Sequence, residues 1–253
     1  MLGYYSVKTP AAALTIALVV AVPVRALACG ASAGGVAGLS GCSLDEHNEA
    51  VRKKWYVGVS GSFTSTQIRF NQDLRLDQTR SVAIATLAYS PRRDVTLEFG
   101  AGPLIDATFE RAGVEHDFSP GPLLLVGASY HLLTNDGARP FVLLGGQLTW
   151  VAARTTEQGS VGAESVGYTA FDFRVGPVVG WTLWNALSPY ALARLFGGPV
   201  FWSYQGESEV GGDVHHYQLG AGLSLVIEEQ VSVFAEGVPL GEQAVAGGAG
   251  FSF

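Results

Sequence analysis

Past residue 28 the chain has no run of ~18 or more apolar residues, the length an α-helix needs to cross a bilayer. Yet 48% of its residues are hydrophobic and only 15% are charged. A chain of this kind either builds a large soluble core or spreads its apolar residues over alternate positions of membrane-spanning strands, where a hydropathy window misses them. A mean hydropathy of +0.26 is apolar for a soluble domain, and the low charge excludes disorder. At 253 residues the chain suffices for one barrel domain of ordinary size.

The first residues read as a secretory signal. Lys8 supplies a positive start, residues 11–22 form an apolar stretch, and Ala26-Leu27-Ala28 fits a small-x-small cleavage site. Cleavage is expected after Ala28. Residues 29–54 follow as a Gly/Ala/Ser-rich, then charged, periplasmic tail. Cys29 and Cys42, the two cysteines of the chain, both lie in it. In an exported protein they are expected to form a disulfide. The alternative is lipidation of Cys29, which would leave Cys42 a lone thiol.

From Trp55 onward, period-two apolar segments alternate with clusters of Gly, Pro, Asn, Asp and Ser. Ten strands are expected, over residues 55–70, 80–90, 95–106, 121–132, 140–153, 168–183, 190–202, 214–227, 231–238 and 244–253. Most have the ~9–11 residues that a tilted strand needs to cross a membrane. Connections 71–79, 107–120, 154–167 and 203–213 are long; 91–94, 134–139, 185–189, 228–230 and 239–243 are short. Up to residue 230 long and short alternate, as external loops and periplasmic turns do in outer-membrane barrels. Pro177 and Pro199 sit inside expected strands and each removes a ladder donor. With the weak strand at 231–238, they keep eight strands open as an alternative to ten.

Alternation within strands agrees. Trp55, Val57, Val59 and Phe63 share one face of the first strand, and Gly58, Ser60, Ser62 and Thr64 the other. Phe171, Phe173, Val175 and Val179 likewise oppose Asp172, Arg174, Gly176 and Gly180. Aromatic residues cluster at strand ends: Trp55, Tyr89, Tyr130, Phe141, Trp184 and Tyr190 at one, Phe109, Trp150, Trp202 and Tyr217 at the other. Rings at both ends are expected to form girdles at the two membrane–water interfaces.

The chain ends Gly250-Phe251-Ser252-Phe253, and here it resembles bacterial outer-membrane β-barrels as a class. Their last strand ends in Phe with apolar residues alternating before it, and in that class the ending is read by the barrel-assembly machinery. The resemblance makes Phe251 and Phe253 an assembly signal. It implies an all-β, antiparallel up-and-down barrel spanning residues 55–253, with outer-membrane lipid as a partner. It identifies no particular family.

Little chemistry is legible. No nucleotide-binding loop and no G-x-S-x-G elbow occurs. A net charge of −7 without a basic stripe argues against nucleic acid. Asp213-x-His215 looks like one half of the Asp/His arrangement at the rim of ten-stranded outer-membrane proteases, but no partner pair of aspartates is found. The expected set is therefore no catalytic residue, no metal and no cofactor. Facing the lumen are Glu98, His131, Gln147, Asp172, Arg174, Arg194, Gln218 and Glu236. Glu98, Asp172, Arg174, Arg194 and Glu236 are expected to pair across a narrow interior. The reading is a monomeric outer-membrane barrel with a structural or surface-binding role, its external loops taking an unknown extracellular ligand. The alternatives are a narrow channel for small solutes or ions, and a rim hydrolase acting on lipid or peptide.

Overall fold

The computed structural model describes residues 54–253 apart from 71–73, 112–113, 135–138, 158–164, 185, 205–206 and 229. The expected signal segment, and the expected tail with Cys29 and Cys42 and their disulfide, lie outside the described residues.

Thirteen strands are present: β1 (Trp55–Arg69), β2 (Arg75–Tyr89), β3 (Val95–Arg111), β4 (Val114–Phe118), β5 (Gly121–Leu133), β6 (Phe141–Glu157), β7 (Val166–Gly180), β8 (Leu187–Gly197), β9 (Val200–Tyr204), β10 (Glu207–Asp213), β11 (Tyr217–Ile227), β12 (Val231–Gly241) and β13 (Gln243–Ser252). All pairings are antiparallel. Around the end that carries Trp55 and Phe253, β1, β2, β3, β5, β6, β7, β8, β11, β12 and β13 pair in chain order, and β13 returns to β1. The ring is closed and has ten strands.

At the far end the ring has eight. β4, β9 and β10 prolong β5, β8 and β11, and β10 pairs directly with β1 through Ile68↔Asp213 and Arg69↔Gly212. The β12–β13 hairpin stops below this junction, where Gln218 faces Gly241 and Ser65 faces Gln243. Both strand counts held open by the sequence therefore occur, at different heights. Gly241 has φ +85°, and a Cβ there would overlap the Tyr217 carbonyl oxygen, so the tip needs glycine.

The polarity of the wall inverts between the two ends. Along lower β1, Val57, Val59 and Phe63 point out and Ser60, Ser62 and Thr64 point in. Above, Arg69 is outside and Ile68 and Phe70 are inside. The far-end interior is one apolar cluster, including Phe70, Leu76, Phe109, Phe118, Tyr168, Val200 and Trp202. Phe109 packs edge-on against Trp202 and Phe118, with ring centroids 5.3 and 4.8 Å apart. The Trp202 indole N–H donates to Thr155 Oγ1 at 2.8 Å.

Several expectations are corrected. Most of the four long loops is zipped into strands, because alternation continues through them with polar residues outside and apolar ones inside. Thr79 and Thr108, for example, are cross-strand partners with hydroxyls 2.9 Å apart. Phe109 and Trp202 belong to the interior rather than a girdle, as do Phe141 and Tyr190 near the other end. Trp55, Tyr130, Trp184 and Tyr217 are exposed as expected. Pro199 lies in the break between β8 and β9, while Pro177 stays within β7, facing outward.

Candidate functional site

Charged side chains gather inside the barrel where ten strands become eight. The β12–β13 tip carries Glu242 into this waist, fully buried. Arg80 of β2 reaches its Oε1 at 3.1 Å, and Arg174 of β7 reaches its Oε2 at 2.9 Å. Gln218 of β11 donates its amide to Glu242 Oε2 at 2.6 Å. Asp172 Oδ2 accepts from Arg174 Nε at 2.9 Å and Nη2 at 2.6 Å, and from Arg80 Nη2 at 3.3 Å. Thr64 Oγ1 accepts from Arg80 Nε at 2.9 Å, and the Arg174 guanidinium lies 5.6 Å from the Phe196 ring centre. Two guanidiniums and two carboxylates thus tie β2 and β7 to the hairpin tip. Asp213 joins from β10, accepting from Thr66 Oγ1 at 3.3 Å.

A second pair stands lower in the lumen. Arg194 of β8 and Glu236 of β12 form a two-pronged ion pair, Nη1–Oε1 at 2.9 Å and Nη2–Oε2 at 3.0 Å. The Tyr190 hydroxyl donates to Glu236 Oε2 at 3.2 Å. All three side chains are buried. Two-pronged, charge-assisted geometry fixes both side chains as well as holding them.

Four of the five lumen residues read from the sequence are thus in ion pairs: Asp172 with Arg174, and Arg194 with Glu236. Glu98 is the exception. It faces inward, 1% exposed, and its Oε1 has no hydrogen-bond partner among the described residues. Arg194 pairs with Glu236 over the intervening β11, whose Gln218 is its own ladder neighbour. Arg80 and Glu242 were not foreseen. On β2 both faces are apolar, Val82 and Ile84 inside and Ala85 and Leu87 outside, so alternation does not say which way Arg80 points. Glu242 sat in a short connection that sequence alone places in water.

The Asp213–His215 pair is split. The chain bends over residues 214–216, leaving Asp213 against Thr66 inside and His215 outside, its ring 6.2 Å from that of Tyr217. His116, expected in a loop, is buried in β4 with its ring 5.3 Å from that of Trp202. Among the described residues no group of three His, Cys, Asp or Glu side chains could hold a metal ion.

At the closing strand, Phe251 and Phe253 are exposed on the outer face, with rings 6.2 Å apart and nearly parallel. Phe253 and Trp55 exchange both backbone hydrogen bonds, at 2.9 and 3.1 Å, where the last strand meets the first.

No family model matches the chain, and no curated protein matches it in sequence. Solved structures do. The outer-membrane protease OmpT from Escherichia coli aligns with a TM-score of 0.50 at 10% identity, covering 83% of this chain and all of that one. The translocator domain of the autotransporter NalP from Neisseria meningitidis aligns at 0.47 and 11% identity, covering 82% and 90% of the two chains. The attachment invasion locus protein Ail of Yersinia pestis aligns at 0.39 and 13% identity, covering 79% and 99%. At these identities the likeness is one of fold. The chain has the fold of an outer-membrane β-barrel, and its belt of exposed apolar side chains sets it in the outer membrane.

Proposed function

We propose that this protein is a sealed barrel, working through its extracellular surface and not by conducting solutes. The observation that carries the reading is the apolar cluster at the far end. Phe70, Phe109, Phe118, Tyr168 and Trp202 pack against one another across the eight-stranded ring, and the ion-paired waist lies beneath them. An open channel needs a continuous wet path, and a ring of eight strands is only wide enough for its own side chains. The strands run on past the apolar belt at the far end and turn back sooner at the other, which supports an extracellular far end and a periplasmic opposite end. There the outer face carries Arg75, Asp77, Glu110, Glu115, Arg154 and Glu157, all exposed. A rigid core under a polar, charged exterior is suited to a binding surface, because strands hold side chains in place better than mobile loops do. Asp213 and His215 point to opposite sides of the wall, which argues against a shared water-activating role.

Conductance of the purified barrel in planar bilayers tests the proposal. The expected trace is flat; stable ohmic steps would refute the sealed reading in favour of a narrow channel. Fractionation separates a surface role from a periplasmic one. The protein should sediment with outer membranes, show heat-modifiable migration on gels, and be reachable on intact cells by antibodies against its far end.

A further inference from the structure

The sealed interior holds more negative than positive charge. Its described carboxylates are Glu98, Asp172, Asp213, Glu236 and Glu242, against the guanidiniums of Arg80, Arg174 and Arg194. Four of those carboxylates have partners; Glu98 has none among the described residues. A lone ionised carboxylate out of water costs far more than folding can spare, so it must either take up a proton or have something positive beside it.

The wall around Glu98 is built of oxygens. In the ladder, Glu98 of β3 faces Gly127 of β5, and Gly127 faces Gln147 of β6. Glu98 and Gln147 therefore flank a position with no side chain, their backbones roughly 10 Å apart, two strand spacings. Gln147 is 4% exposed, and its Oε1 has no hydrogen-bond partner among the described residues. Ser129 is the next inward residue on β5. It is 4% exposed, its Oγ is likewise without a partner, and its own neighbour on β6 is Gly145. A carboxylate oxygen, an amide oxygen and a hydroxyl oxygen thus lie on one inward patch of the β3–β5–β6 wall beside two glycines, with no guanidinium paired to the carboxylate and Arg174 the neighbour of Gln147 on its other side.

We infer that Glu98, Gln147 and Ser129 form a binding site for one monovalent alkali cation inside the barrel. Hard cations take oxygen ligands of these three kinds. One carboxylate matches one positive charge, whereas a divalent site would need more acidic ligands than this wall provides. The cation compensates Glu98 and joins β3, β5 and β6 across the glycine gap, on the side of the lumen away from the Arg194–Glu236 pair.

The test is refolding of the full mature chain in detergent at constant ionic strength, with sodium replaced stepwise by N-methylglucamine. The thermal midpoint is read from the heat-modifiable gel shift. Each tenfold rise in sodium above the dissociation constant should raise the midpoint by about 3–6 °C. Glu98→Gln should abolish that dependence. Gln147→Met, which keeps the carboxylate, should move it to several-fold higher sodium, and serves alone where Glu98→Gln does not refold. A midpoint indifferent to the exchange of sodium for N-methylglucamine overturns the inference; so does a sodium dependence that persists unchanged in both variants.

Discussion

The Arg194–Glu236 pair gives the sharpest test of a lumen held by specific ion pairs. Removing the guanidinium with Arg194→Ala leaves Glu236 buried with one remaining partner, the Tyr190 hydroxyl at 3.2 Å. An uncompensated buried charge of this kind costs about 3–5 kcal/mol. Glu236→Leu alone removes the two-pronged partner of the guanidinium, at similar cost. The double change Arg194→Met with Glu236→Leu removes both charges and keeps most of the volume, which by itself is neutral to stabilising. It leaves the Tyr190 hydroxyl short of an acceptor, at about 1–3 kcal/mol. The double variant is therefore expected within roughly 2 kcal/mol of the parent, against roughly 6–10 kcal/mol for the two singles added together. Urea unfolding of the refolded barrel, followed by the heat-modifiable band, measures all three. A double variant lying at the sum of the singles would mean that the two charges do not interact, and would refute the pairing and the register beneath it.

Four further outcomes are expected. Trp202→Ala should cost about 3–5 kcal/mol in the same assay, since it empties the centre of the far-end cluster and leaves Thr155 without its indole donor; a loss under about 1 kcal/mol would say that this end is not packed. Gly241→Ala should lower the yield of heat-modifiable protein sharply, because the tip residue has φ +85° and no room for a Cβ against Tyr217; parental yield would show that the tip can rearrange. Deleting Phe253 should impair assembly in cells, measured as outer-membrane recovery, and normal recovery would remove it as a signal. Intact-mass analysis of the mature amino terminus should find Cys29 and Cys42 joined; a diacylglycerol adduct on Cys29 would establish lipidation instead.

Where one face of a strand was apolar and the other polar, the sequence was enough. The outward set Val57, Val59 and Phe63, and the inward pair Asp172 and Arg174, follow from alternation in a strand bordered by lipid. The rule that made them legible hid the far end. Above the waist the pattern reverses: apolar residues such as Leu76, Phe109 and Trp202 turn inward while charged ones such as Arg75 and Asp77 face out. A reading that equates apolar with outside breaks the strand there and writes a loop. Arg80 and Glu242 escaped for a different reason. Their pairing depends on how far up the barrel the last hairpin climbs, a matter of register between strands distant in sequence. Of Glu98 and Glu236, either of which could have approached an arginine, Glu236 meets Arg194 and Glu98 meets none among the described residues, because facing is a property of one strand and partnership a property of the whole ring.

A wall that closes once with ten strands and again with eight keeps its two ends separately inheritable. β10 and β1 already meet above the β12–β13 tip, so the exposed end does not depend on that hairpin for closure. A lineage could lengthen, shorten or duplicate hairpins at the terminal end while the outward-facing rim kept its shape. The reverse also holds: the far rim can change while the closing seam, where Phe253 joins Trp55, stays as it is.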